Sequence, residues 1–256
     1  MAVRRRHSPG ERTGRHLLRS AALARALVAD AGVRPGDLVV DVGAGTGVLT
    51  GALDARGARV LAVELDGALA RDLRRRFAGR PVEVVHADAR ELRWPGEPFA
   101  VVANLPFGIS TALLRRLLGD PGLRLRHAEL VVEWGLAVKR TAAWPSTLLG
   151  VLWGVGFELR LVRRLPPEAF APPPSVAAAI LRASRRPEPL VPPHALPAFG
   201  ALVRDGFASD APLRRLLPPR TVKRLAHELG FAPDARARDL DAHQWAAVFR
   251  AVRPLR

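Results

Sequence analysis

Four short stretches hold the side chains with which this chain could do chemistry: "DVGAGTG" (Asp41 to Gly47), "VELD" with Glu64, "HADA" with Asp88, and "NLPF" (Asn104 to Phe107). Glycines at alternate positions, Gly43, Gly45 and Gly47, let the backbone turn tightly and approach a ligand. The helix that follows adds a dipole favourable to carboxylate or other anionic groups. Glu64, one strand later, can accept two hydrogen bonds from ribose hydroxyls. In "NLPF" the side-chain oxygen of Asn104 and a backbone carbonyl, that of Leu105 or Pro106, are two acceptors suited to the two N–H bonds of an exocyclic amine. Such an amine on a nucleobase is a poor nucleophile, because its lone pair is delocalised into the ring. Two acceptors favour a tetrahedral nitrogen whose lone pair can attack. Pro106 keeps the acceptors preorganised, and Phe107 offers a face on which an extruded base stacks. No strong general base is required, since the nitrogen becomes acidic as it is alkylated.

These groups need a scaffold that brings strand ends together. From Leu38 to about Glu133, the apolar runs "LVVDV", "RVLAVEL", "VEVVHA", "FAVVANL" and "AELVVE" alternate with "GVLTGALDAR", "DGALARDLRRRF" and "STALLRRLL", which carry Leu or Ala at helical spacing. The alternation predicts an α/β fold with a parallel sheet wound by helices, and it puts each candidate residue at a strand's carboxyl end, where such sheets bind ligands. An amphipathic helix, "LLRSAALARALVADAG", precedes them and ends at Gly32. After Gly135, "FELRLVRRL" and "VAAAILRAS" read as strands joined by the rigid loop "PPEAFAPPPS". The Pro-rich "RRPEPLVPPHALP" marks a boundary to a smaller region, with helices expected at about 195–207, 221–229 and 241–252. Three regions are expected: a basic, flexible arm over 1–20, a Rossmann-like domain over 21–183, and a small helical domain over 184–256.

The chain has 256 residues, is 48% hydrophobic and contains no cysteine, so it can bury a sizeable core without disulfides, and thiolate metal sites are excluded. Its seven histidines are scattered, and no metal site is expected. No apolar segment is long enough to span a bilayer, which predicts a cytosolic, non-membrane protein. The net charge is +16, with six arginines against one acid in residues 1–20 and thirteen Lys or Arg against seven acids in residues 184–256. Basic ends of this kind fit a polyanion binder, with an Arg-rich composition as the alternative source of the charge.

Glycine spacing separates the candidate cofactors. The dinucleotide fingerprint is G-x-G-x-x-G, whereas Gly43, Gly45 and Gly47 make G-x-G-x-G, which favours a methyl donor over NAD. The chain resembles the ribosomal RNA adenine-N(6) methyltransferases, which include Erm-type macrolide-resistance enzymes and small-subunit adenine dimethyltransferases. The likeness covers most of the chain: "DVGAGTG", "VELD", "HADA", "NLPFGIST" and "FAPPPSVAAAIL" stand in family order. Phe170, Pro172, Pro174 and Val176 match the F-x-P-x-P-x-V element. Phe107 followed by Gly108 is more similar to the Erm branch, since the dimethyltransferase branch usually has Tyr followed by Asn.

The resemblance implies S-adenosyl-L-methionine as cofactor, held by His16, Leu18, Gly43, Ala44, Gly45, Glu64, Leu65, Asp88, Ala89 and Asn104. It also implies a catalytic loop of Asn104, Leu105, Pro106 and Phe107. The implied partner is 23S rRNA, naked or immature, modified at one adenine by a monomer with no obligate protein partner. Thr111, Arg115, Arg116, Lys139 and Arg140 are expected to contact phosphate or sugar on the sheet edge where the base enters. One departure concerns "RHLL" (Arg15 to Leu18), which stands where the family usually has Gln-Asn-Phe-Leu; in another, Glu133 stands where Gln is common. The rival readings are a housekeeping 16S rRNA dimethyltransferase, a non-catalytic RNA-binding factor on the same fold, and a DNA or protein-glutamine methyltransferase.

Overall fold

The computed structural model describes residues 16–209, 211–215 and 217–252. Most of the basic arm expected at 1–20 lies outside the described residues. The chain forms two compact units, one of Met1–Ala137 with Leu161–Ala183, the other of Val138–Arg160 with Ser184–Arg256. The sequence placed the second region at 184–256 only. The structure adds residues 138–160 to it, where Val151 and Val155 join the core of the helical region.

A seven-stranded sheet has the order β4-β3-β2-β5-β6-β9-β7. Its strands are β2 (Leu38–Val42), β3 (Arg59–Glu64), β4 (Val82–His86), β5 (Phe99–Asn104), β6 (Leu125–Glu133), β7 (Phe157–Leu165) and β9 (Ala178–Arg185). Parallel pairing joins β4 to β3, β3 to β2, β2 to β5 and β5 to β6. Val101 and Val102 at the sheet centre are fully buried, as a strand covered on both faces requires. From β2 the chain winds outward through β3 and β4, then returns to β5 on the other side. The strand order therefore reverses between β2 and β5, and a crevice opens at their carboxyl ends.

Helices cover the sheet. The helix Ala21–Asp30 starts at Ser20, whose hydroxyl accepts from the Leu23 N–H, and ends before Gly32 at φ 64°. Asp66 caps the helix Gly67–Arg76 by accepting from the Ala68 and Leu69 N–H groups at 2.8 and 3.2 Å. Leu27, Leu53, Val39, Val102 and Ile180 form part of one core cluster. Glu129 on β6 is buried and takes a bidentate pair from Arg182 on β9 at 2.7 and 3.0 Å, which satisfies a charge that burial alone would penalise.

The sequence did not predict a two-stranded antiparallel pair, β1 (Leu17–Leu18) with β8 (Phe170–Ala171). Residues 17 and 18 were read as part of the flexible arm and as the start of the helix that in the structure begins at Ala21, and residue 170 was read as loop. Two-residue strands have no period to read, and this one forms across more than 150 residues of chain. Phe170 is buried in the core at its centre.

In the second unit the helices Leu196–Ser209, Pro219–Leu229 and Ala242–Val252 fall close to their expected places. They pack Phe199 edge-on against Phe249 at 5.5 Å and bury Trp245, whose indole N–H donates to the Ala237 carbonyl at 3.0 Å. The helix Leu148–Gly154 was not predicted. Its sequence, LLGVLWG, is apolar all round and shows no stripe. Among the described residues no helix is long and apolar enough to cross a membrane, and no group of three His, Asp or Glu could hold a metal ion.

Candidate active site

The glycine loop is built by backbone bonding. Gly43 and Ala44 both donate to the Val63 carbonyl, at 2.8 and 3.1 Å, and Gly45 donates to Glu64 Oε2 at 2.8 Å. The other Glu64 oxygen accepts from the Asp66 N–H at 2.8 Å. These contacts fix Glu64, 5% exposed, at the end of β3 beside the end of β2. Gly45 has φ 57°, a left-handed conformation that favours glycine, and a Cβ on it would stand 2.6 Å from Leu17 Cδ2 and displace that side chain. Beneath the loop, Asp41 is buried and accepts from Thr50 Oγ at 2.7 Å. Burial pushes its carboxyl up to about 7, opposed by the Thr50 hydrogen bond and reinforced by the nearby Glu64 charge.

Asp88 follows β4 and is held differently. Both its oxygens are taken by Arg90, which contributes its backbone N–H at 2.8 Å and its guanidinium at 2.6 to 3.1 Å. The Arg90 hydrogen bonds keep the Asp88 carboxyl below the usual range. The next residues of this loop are clamped by Arg116, which donates to the carbonyls of Ala89 and Leu92 at 2.8 and 2.6 Å and lies over the Trp94 ring at 5.7 Å. Arg116 was expected to contact RNA. The structure instead turns it inward, because the loop between β4 and β5 has no helix and its carbonyls need donors.

At the end of β5, the Asn104 amide nitrogen donates to the His16 carbonyl at 2.6 Å. A carbonyl can only accept, so the amide has one orientation, and its Oδ1 is buried with no hydrogen-bond partner among the described residues. The Leu105 N–H is fastened to the Val131 carbonyl at 3.1 Å. The Pro106 carbonyl already accepts from the Ile109 N–H and from Ser110 Oγ, each at 3.1 Å. Of the two carbonyls proposed from the sequence, Leu105 is therefore the better second acceptor. Phe107 packs against His16, ring centroids 5.4 Å apart, and His16 Nδ1 bonds to the Pro172 carbonyl at 3.0 Å.

These groups line one cavity of ≈ 160 Å³ at the crevice. His16, Gly43, Gly45, Glu64, Leu65, Asp88, Ala89, Asn104, Leu105, Pro106 and Phe107 all border it. Leu18 and Ala44 do not, being buried in the core; Leu17 takes the place expected for Leu18, since alternate residues of β1 face opposite ways. Leu65 is 59% exposed at the rim. The sequence also missed Leu17, Leu69 and Ile109 in the lining, where apolar residues in apolar runs give no signal. A more open concavity of ≈ 1040 Å³ lies toward the amino ends of the strands, by Leu38, Arg59 and Pro81, and holds none of this chemistry.

Of the remaining expected RNA contacts, Arg115 is exposed on the outer face of the helix Ser110–Gly119, and Thr111 is half-buried on its first turn. Lys139 and Arg140 belong to the second unit. Lys139 is exposed, whereas Arg140 lies over the Trp153 ring at 5.6 Å and donates to Thr147 Oγ at 3.1 Å.

These acceptors fit the hydroxyl and amino donors of a nucleoside. A fixed, buried carboxylate stands at ribose height, a second acid follows one strand later, and an unpartnered amide oxygen lies at the third strand end. Comparisons with known proteins agree. Residues 7–253 match the family described as Ribosomal RNA adenine dimethylase. The Ribosomal RNA small subunit methyltransferase A of Synechococcus sp. (strain JA-3-3Ab) is 36% identical over 256 residues, covering 94% of this chain and 91% of that one. The mycinamicin-resistance protein MyrB of Micromonospora griseorubida is 38% identical over 221 residues, covering 84% and 70%. The crystal structure of the 23S rRNA methyltransferase ErmE superposes with a TM-score of 0.82 at 32% identity, covering 91% of this chain and 98% of that one. The chain thus belongs to the ribosomal RNA adenine dimethylase family, S-adenosylmethionine-dependent enzymes that methylate the amino nitrogen of adenine in rRNA.

Proposed function

We propose that this chain methylates the exocyclic amine of one adenine in 23S rRNA and so confers macrolide, lincosamide and streptogramin B resistance. It acts in the cytoplasm as a monomer on naked or immature RNA. The observation that carries the chemistry is the Asn104 side chain, pinned through its nitrogen to the His16 carbonyl and left with an unpartnered oxygen. When bound, S-adenosylmethionine supplies an electrophilic methyl group on a positively charged sulfur. Glu64, held by two backbone N–H groups, accepts from the ribose hydroxyls. Asp88 accepts from the adenine amino group of the cofactor once it exchanges its bond to Arg90. Asn104 Oδ1 and the Leu105 carbonyl each accept one N–H of the target adenine, which turns its lone pair out of the ring for in-line attack. A bound S-adenosylmethionine would supply the methyl group and leave as its neutral thioether, and the methylated nitrogen would give up a proton to water. Phe107, with His16 against it, provides the stacking face for the flipped base.

The choice of 23S over 16S rRNA rests on the loop, because identities of 38% to MyrB and 36% to the small-subunit enzyme do not separate the branches. Phe107 followed by Gly108 supports the Erm branch. The test is transfer of labelled methyl to protein-free 23S and 16S rRNA, with primer extension to map the base. A stop at a single 23S adenine is expected; label on 16S adenines would overturn the 23S assignment.

A further inference from the structure

Trp144, in the second unit, has no part in this chemistry. It is 64% exposed, the most exposed large hydrophobic side chain among the described residues. It is also fixed in place. Its indole N–H donates to the Asp239 carbonyl at 2.8 Å, and the Ser146 N–H donates to the Arg238 carbonyl at 2.8 Å. With the N–H satisfied, the group presented to solvent is a rigid aromatic face. The surroundings are cationic: Lys139 and Arg140 precede Trp144 with no acid between residues 138 and 147, and the unit carries sixteen Lys or Arg against eight acids. The same loop borders a cavity of ≈ 160 Å³ lined also by Arg140, Arg186 and His243, with Glu158 and Asp241 as its acids. Ser146 stands in its wall, 6% exposed, and its hydroxyl has no partner among the described residues. A protein-docking patch would gather several large apolar side chains. Here one aromatic plate stands among cations, the arrangement with which proteins hold an unpaired nucleotide.

We propose that this loop is a nucleotide-binding site for an unpaired residue of the RNA substrate other than the methylated adenine. The base stacks on Trp144, and its sugar and phosphate meet the Ser146 hydroxyl and the neighbouring cations. The inference rests on the rRNA reading above. The test compares Trp144→Ala, Trp144→Phe and Ser146→Ala with wild type in methyl transfer to protein-free rRNA, and maps ultraviolet crosslinks from a bromouridine-substituted single-stranded RNA. Trp144→Ala is expected to raise the KM for RNA about fivefold or more, with kcat and cofactor affinity unchanged. Trp144→Phe, which keeps a stacking face and loses the bond to Asp239, should stay within about twofold of wild type. Ser146→Ala should raise the KM for RNA without lowering thermal stability, and the crosslink should map to Trp144. A wild-type KM in Trp144→Ala, an equal loss in Trp144→Phe, or crosslinks only elsewhere would overturn the Trp144 site. An unchanged KM in Ser146→Ala would overturn the sugar contact. If wild type transfers no methyl to rRNA, the rRNA reading fails, and the crosslink still decides whether Trp144 binds a nucleotide.

Discussion

The loops after β3 and β4 each carry an acid into the same cavity, and they are built in opposite ways. Glu64 is buried, and two backbone N–H groups hold its carboxylate. Asp88 is held by Arg90, an exposed neighbour two residues along, and the rest of its loop hangs on the Arg116 side chain. An acid bonded to backbone cannot change partners unless the loop itself rearranges. One bonded to a surface arginine can exchange that partner for a ligand. On the proposed reading, the contrast separates a rigid ribose site from an adaptable adenine site.

The largest effect is expected on the rigid side. Glu64→Gln keeps the shape but sets an amide NH₂ against one of two backbone donors, so cofactor affinity should fall by about 30-fold or more. Titration calorimetry with S-adenosylmethionine checks this, and a change under threefold would remove the contrast. Next comes Arg116→Ala, which takes two donors from carbonyls of the Ala89–Leu92 loop. It should raise the KM for cofactor about fivefold while leaving kcat at saturation and the KM for RNA unchanged. A rise in the KM for RNA alone would return Arg116 to the RNA-contact role that the sequence suggested.

Stability should show the same division through pH. Burial raises the Asp41 carboxyl to about 7 in the folded protein, so the folded state holds a proton that the unfolded chain releases near its ordinary value of 3.8. The stabilisation is full below about pH 4 and is lost as pH rises through about 7. Asp41→Asn removes this dependence, so thermal melts from pH 4 to 8.5 should show the variant gaining on wild type as pH rises, then holding a constant gap. Parallel curves would mean that Asp41 stays ionised. The smallest effect belongs to Arg90→Ala, which frees Asp88 from a solvent-screened pair and should tighten cofactor binding about twofold at low salt.

The same contrast explains what could be read in advance. Strand ends after regular apolar runs located Gly43, Gly45, Glu64, Asp88 and Asn104, because parallel winding sends every such end to one edge. What depended on distant chain could not be read. Pairing of Leu17 with Ala171 turned Leu17 rather than Leu18 to the cavity and brought the His16 carbonyl to Asn104. Arg116 looked like any exposed helical arginine, since the need for its donors arises from a loop more than twenty residues earlier. The helix Leu148–Gly154 lacked a polar face to betray it, so residues 138–160 were expected with the first region, whereas they cluster with the second unit.

The acceptor role of Asn104 is tested most directly by single-turnover methyl transfer to protein-free 23S rRNA with Asn104→Ala, with RNA binding measured in parallel. Transfer should fall by at least about a thousandfold while RNA affinity stays within about threefold of wild type. Transfer at the wild-type rate would contradict the role given to Asn104 and the mechanism built on it.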